Sequence, residues 1–472
     1  MVRSTDLTEL TASELITGYA SREFTCSDAV EACIARIGDT DPVLNTIITE
    51  VFDQAREHAA HSDARWAAGT QRPLEGVPYG LKDIVATAGI PTTGGSVIYK
   101  DYVPDADAVV AKRLSDSGAV LLAKLATFEF ACGGAVNKTF GPPRNPYDVT
   151  RTTGGSSSGS GAAVAARQMP LAIGTDTGGS IRIPAAYCGL SGLKPTYGRV
   201  PRAGIMGLSW TLDHAGPMTR SVQDCAIMLD AIAGPHPSDP TALAAAPTPF
   251  ATAMQQPVDG MRIGRDRRFL ESRMHPDVAA AYEQALVELA SVGVTIVDID
   301  LADFELTQQA AWSIIFAEML SLHEERVNDM DARDEQGAAM LAATPFVTAT
   351  DYLRSLRLRT RFQHQLADAM QGLDAIVTPS MSTLPPVIAD QMTCDLGEGE
   401  TAAWLDIACQ SMVPFNYTGN PALVVPSGTV DGMPMSVQLV GRHRDEATIL
   451  AVGQAFQAVT DHHLISPSVA AA

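Results

Sequence analysis

Three stretches of this chain hold residue types from which nucleophilic chemistry is built. Two are rich in glycine and serine: GGSSSGSG at 154–161 and GTDTGGSIRIPAA at 174–186. The third, GVPYGLKDI at 76–84, sets Lys82 among apolar residues that include Leu81 and Ile84. A serine hydroxyl attacks a carbonyl when a base takes its proton, and the usual base is histidine. The histidines nearest to 154–161 are His61 and His214, both far off in sequence. Lysine can serve instead, because burial disfavours its charged form and draws its pKa toward neutrality. Lys82 is that candidate base, with Asp83 beside it as a charge that would oppose the shift if it points inward. Ser180 is the candidate nucleophile. It follows Gly178 and Gly179, whose missing side chains let a substrate approach closely. The N–H groups of Thr177, Gly178, Gly179 and Ser180 could converge on a developing oxyanion.

Other chemistries fit these stretches less well. A flexible Gly/Ser tether would not run straight into the helical composition GAAVAARQ. A Walker loop needs G-x-x-x-x-G-K-[ST], and no lysine follows Gly154 at that spacing. No dinucleotide fingerprint is present, and the sequence implies no cofactor. GSSSG at 155–159 matches the G-x-S-x-G elbow around Ser157, but TRTTG before it is not a core strand. SGLK at 191–194 matches S-x-x-K without the downstream partners of that motif.

The elements that must position these residues read as α/β. Residues 1–65 have a helical texture: Thr11–Glu14 (TASE) fits a capping box, and Val30, Cys33, Ile34 and Ile37 share one helix face. Beyond Pro73, short apolar runs alternate with helical patterns: VLLAK (120–124), LAIG (171–174), VTIVDI (294–299), AIVTP (375–379), ALVVP (422–426) and SVQLVG (436–441). A helix starts at Pro276, residues 234–249 read as a long surface loop, and 301–370 are helical with a solvated charge run at 324–335.

Composition narrows the function. Apolar residues are 46% and charged residues 18% of 472, enough for a sizeable core. No apolar run reaches a membrane span, and the first residues lack a signal-peptide core, so cytoplasmic residence is expected. Seven scattered cysteines without CxxC spacing argue for buried free thiols rather than disulfides or a metal site. A net charge of −21 argues against nucleic acid and anionic membranes as partners.

Taken together, the run TTGGSSSGSGAAVAARQMPLAIGTDTGGSIRIPAAYCGLSGLKPTYGRVP (152–201) resembles the amidase signature family. GVPYGLKDI, EFACGGAVNKTFGPPRNPYD (129–148) and FNYTGNPALVVPSG (415–428) extend the resemblance in order over nearly the whole chain. The resemblance implies one α/β domain over 1–472, a large twisted mixed sheet flanked by helices. A helical segment 1–65 would pack on it, with a catalytic core at 76–235 and a variable pocket region at 300–415. It implies a triad of Ser180 as nucleophile, Ser156 as a serine preceded by a cis peptide, and Lys82 as base, with the two serines at the family's spacing. Asp176 and Arg182 would brace the loop, and Ser157, Ser158 and Ser160 would be hydrogen-bonding loop residues. Cys132, Gly133 and Gly134 would border the substrate pocket, and Trp312, Phe316, Met319, Tyr352 and Trp404 would give it apolar walls. The implied reaction is hydrolysis of an amide, anilide or carbamate C–N bond through an acyl-enzyme, without metal or cofactor. The expected partners are a small-molecule substrate and at most a second copy of the chain in a homodimer. The alternative within the family is the glutaminase subunit of a tRNA-dependent amidotransferase.

Overall fold

Among the described residues, eleven strands join into one sheet. The computed structural model describes residues 6–244, 249–268, 272–323, 333–390 and 393–468. From one edge to the other the strands are Ile47–Glu50, Val120–Leu125, Pro78–Lys82, Leu171–Asp176, His214–Thr219, Ser191–Lys194, Ala422–Val430, Met433–Gly441, Ala375–Pro379, Arg262–Asp266 and Thr295–Ile299. Pro78–Lys82 runs parallel to both of its neighbours, and Leu171–Asp176 is antiparallel to His214–Thr219. The sheet is therefore mixed, as expected. Every short apolar run read as a strand falls in it, and the helix beginning at Pro276 spans Pro276–Ala290.

The N-terminal segment departs from the helical expectation at one point. Thr11 does cap the helix Ala12–Ser21, its hydroxyl accepting the Glu14 N–H while the Glu14 carboxylate accepts the N–H of Thr11. Val30, Cys33 and Ile37 are buried along the helix Cys26–Leu44. Between that helix and the next, Phe52–Ala68, the β-branched run Ile47–Glu50 pairs antiparallel with Val120–Leu125. Edge pairing is available there, and it ties the segment to the sheet.

The stretch 301–370 is helical as read, with helices at Leu306–His323, Glu335–Ala343 and Ala349–Ala369. The charge run at 324–335 is not simply a solvated face. Residues 324–332 lie outside the described residues, but Arg333 and Asp334 are buried, and the N–H of Asp334 donates to the carboxylate of Glu129. No helix among the described residues is long and apolar enough to cross a membrane.

Two features aim the sheet at the site. Leu81 pairs in register with Ile173, so the parallel strands ending at Lys82 and Asp176 deliver both ends to one edge. Behind them lies the helix Ser158–Ala165, all eight of whose residues are buried. Small residues permit this: a Cβ on Gly159 would stand 2.5 Å from the Thr46 carbonyl oxygen.

Candidate active site

Lys82 is the last residue of its strand and is fully buried. Its Nζ donates to Ser156 Oγ and to Thr175 Oγ1, each at 2.8 Å. Burial draws its pKa down to about 7, while the Asp176 and Asp213 carboxylates pull the other way. Asp83, the neighbour that threatened to hold Lys82 charged, faces elsewhere. It accepts from the N–H and hydroxyl of Thr93 and lies 3.3 Å from Lys124 Nζ.

Ser156 follows a cis Gly155–Ser156 peptide bond. Gly155 is confined by the ring of Phe128, 2.3 Å from where a Cβ would stand. The other serines of the first stretch are committed to backbone. Ser157 Oγ donates to the Thr175 carbonyl (3.2 Å) and accepts from its N–H (3.1 Å). Ser158 and Ser160 donate to the carbonyls of Ala126 and Ile173. Ser157 N–H also donates to the Ser180 carbonyl (3.3 Å), which joins the two glycine-rich loops.

Ser180 is half-buried and, with Ser156, Gly155, Thr177 and Gly178, lines a narrow cavity of about 50 Å³. Its loop is organised by Asp176. That carboxylate accepts the N–H groups of Gly179 (2.8 Å) and Ile181 (3.2 Å), Asn416 Nδ2 (2.7 Å) and Arg182 Nε (2.9 Å). Arg182 in turn donates to the Met412 carbonyl and to the side chains of Gln438 and Asn416. Burial alone would raise the Asp176 carboxyl, but Arg182, Lys194 and Asn416 outweigh it and hold the group well below the usual carboxylate range. The Gly179 amide, one of the four expected to meet an oxyanion, is thus engaged by Asp176.

Cys132 and Gly133 border the same cavity. The Cys132 thiol is pushed up to about 12 by burial, and its sulfur sits 3.5 Å from the sulfurs of Met319 and Met340, a packing role. Gly134 instead backs onto Gln336. Of the five apolar residues expected in the wall, Trp312 and Trp404 line the cavity, joined by Phe128, Ile315 and Leu405. Phe316 stacks behind Trp312 at 5.4 Å, Met319 packs on Cys132, and the Tyr352 hydroxyl donates to Glu318 at 3.0 Å. Thr175, Asp213 and Asn416 escape a reading of the sequence. Thr175 and Asp213 are ordinary polar residues until the strand ends bring them to Lys82, and Asn416 lies 240 positions from the aspartate it binds.

A family model described as Amidase matches residues 28–450. A glutamyl-tRNA(Gln) amidotransferase subunit of Chloroflexus aggregans is 37% identical, over 99% of this chain and 100% of that protein. A solved structure described as a vestigial protein complex revealing the origins of an s-triazine catabolic enzyme superposes with a TM-score of 0.90, at 33% identity over 95% of this chain and 98% of that one. A bacterial aryl acylamidase of the amidase signature enzymes superposes at 0.86, with 25% identity over 96% of this chain and 97% of that one. These likenesses correct one expectation. Partners limited to a small molecule or a second copy, with nucleic acid excluded, do not stand beside a relative matched end to end that is named for its place in a glutamyl-tRNA(Gln) enzyme. The exclusion rested on net charge, which describes one chain's surface and not what a multi-subunit enzyme carries. On the family match over most of its length, the chain belongs to the amidase family, the amidase signature enzymes.

Proposed function

We propose that this chain hydrolyses an amide C–N bond with Ser180 as nucleophile, Ser156 as proton relay and Lys82 as base. The observation that carries the reading is the buried Lys82 Nζ, 2.8 Å from Ser156 Oγ, which opens onto the same cavity as Ser180. Ser180 Oγ attacks the carbonyl carbon and passes its proton to Ser156, whose own proton goes to the neutral Lys82 amine. The oxyanion faces the loop amides of Thr177, Gly178 and Ser180. The relay then reverses: the Lys82 proton travels through Ser156 to the leaving nitrogen, the C–N bond breaks, and the acyl group stays on Ser180. Water repeats the sequence and releases the acid.

The relatives favour one setting for this chemistry, as the amide-cleaving subunit of a tRNA-dependent amidotransferase that takes ammonia from glutamine. The cavity favours a second, a stand-alone hydrolase of apolar amides, anilides or carbamates, since Phe128, Trp312, Ile315, Trp404 and Leu405 form its walls. The deciding experiment measures ammonia and amine release by the purified chain from glutamine, a primary aryl amide, an anilide and a carbamate, with and without amidotransferase partner subunits. Glutamine turnover that rises when partners are added supports the first setting. Turnover of the apolar substrates by the chain alone supports the second. No turnover and no acyl-Ser180 under any condition overturns both.

A further inference from the structure

Lys82 Nζ stands between two cavities. Ser156, on one side, opens onto the narrow cavity of Ser180, and Thr175, on the other, lines a second cavity of about 220 Å³. The charged and titratable residues of that second cavity are Arg202, Asp213, His214 and Asp239. Thr177 borders both spaces, and its hydroxyl donates to Asp213 at 2.6 Å. The half-buried Asp213 carboxylate also accepts the N–H groups of Leu208 (2.9 Å) and Ser209 (3.0 Å). It thus holds the loop that presents Ser180 from the second cavity.

The other charges around Lys82 are matched. Asp176 is paired with Arg182, and Asp83 with Lys124. Lys194 donates to the carbonyls of Pro195 and Asn420. His214 is kept neutral, pushed well below its usual range by burial and by Lys194. Arg202 moderates Asp213 but gives its hydrogen bonds to the Trp210 carbonyl, Tyr197 and Thr241. From the helix Leu306–His323, Glu318 accepts from Ser209 and Thr211, and His323 meets the Gly207 carbonyl. Of the two carboxylates that favour the charged form of Lys82, Asp176 is paired with Arg182, and Asp213 borders the second cavity.

We infer that Asp213 is a positioning residue for the reaction: through Thr177 it anchors the loop that carries Ser180, and its negative charge borders the cavity that Thr175, the partner of Lys82, also lines. A negative charge favours the ammonium form, so removing it lets Lys82 lose its proton at lower pH. The inference rests on Lys82 being the base.

The test is kcat/KM against pH, on an amide that does not titrate, for the parent, Asp213→Asn, Asp213→Ser and Asp239→Asn. Both Asp213 variants are expected to show the acidic limb displaced to lower pH by about half a unit to one unit. Their kcat should fall more than their KM rises, since the loop loses an anchor. Asp239→Asn, altered in the same cavity, should keep the parent limb. Should Asp213→Asn fail to fold, the smaller Asp213→Ser gives the same reading. A limb that stays in place, or moves to higher pH, overturns the inference. A parent with no acidic limb, or a Lys82→Ala variant with normal turnover, would instead overturn Lys82 as base, so the two failures are distinguishable.

Discussion

The carboxylate of Asp83 lies 3.3 Å from Lys124 Nζ, and both side chains are fully buried. The pairing turns the sequence neighbour of Lys82 away from it. Lys124 also donates to Thr92 Oγ1 at 2.6 Å, so two lysines on adjacent parallel strands have separate duties, one pinning the turn after the strand and one facing the serines. Lys124→Met should therefore act on the fold. It leaves Asp83 buried and uncompensated, at a cost of about 3–5 kcal/mol. Thermal unfolding checks this, and an unchanged Tm would show that the pair carries no stability.

Ser180→Ala and Lys82→Ala should each lower kcat/KM by about a thousandfold or more while leaving the fold intact by circular dichroism. Ser156→Ala should be severely impaired but retain some turnover, because a water can bridge two groups that lose a relay. Ser157→Ala removes hydrogen bonds to the backbone of Thr175 and should cost about 1 kcal/mol of stability rather than the chemistry. Activity surviving in Ser180→Ala but not in Ser157→Ala would move the nucleophile.

Activity should be low in acid and climb as pH passes about 7, where Lys82 becomes neutral. The same group carries a stability consequence. With its folded pKa below the unfolded 10.5, the unfolded chain binds more protons between about 7 and 10.5, so the Lys82 contribution disfavours folding below that window and is relieved as pH rises through it. A kcat/KM profile on a neutral substrate tests the first part, with the fold verified at each pH. A profile flat down to about pH 5, well below the range in which the buried amine loses its proton, would exclude Lys82 as the base.

Asp176 shifts the same way, downward, but as an acid it has the opposite consequence for stability. Its folded pKa is depressed, so its contribution is present above the ordinary carboxylate range and is lost as pH falls through the folded value. Arg182→Met should destabilise by about 3–5 kcal/mol, since it strands a buried carboxylate. Acid unfolding should begin at higher pH in this variant than in the parent, and coincident transitions would contradict the bracing role.

Two adjacent glycines should respond differently to alanine. Gly133 has φ +98°, and its added Cβ would stand 2.9 Å from the backbone nitrogen of Gly337. Neither the conformation nor the neighbour can yield cheaply. Gly134 would meet only the end of the exposed Gln336 side chain, which can move. Gly133→Ala should lose most activity and several degrees of Tm, and Gly134→Ala little of either. Equal effects would show that Gly133 tolerates the strain.

The elements and the reagents are legible in the order of the residues. Short apolar and β-branched runs located six of the eleven strands, though not the one ending at Lys82; TASE located a capped helix, and glycines beside serines marked two loops. These are local properties, fixed by backbone conformation and nearest neighbours. Which way each charge faces is a matter of packing, and no local pattern encodes it. Of the aspartates Asp83 and Asp213, the one beside Lys82 in sequence pairs with Lys124, while the distant one binds Thr177, just past the strand end that faces Lys82. Strand pairing explains this: the register Leu81↔Ile173 sets the end of one parallel strand beside Thr175 and Asp176, and the antiparallel strand beginning at His214 brings Asp213 to the same edge. Likewise, a stretch of pocket-forming sequence could name Phe316, Met319 and Tyr352 beside Trp312 and Trp404, but helix packing alone chose which of them face the cavity and which stand behind it.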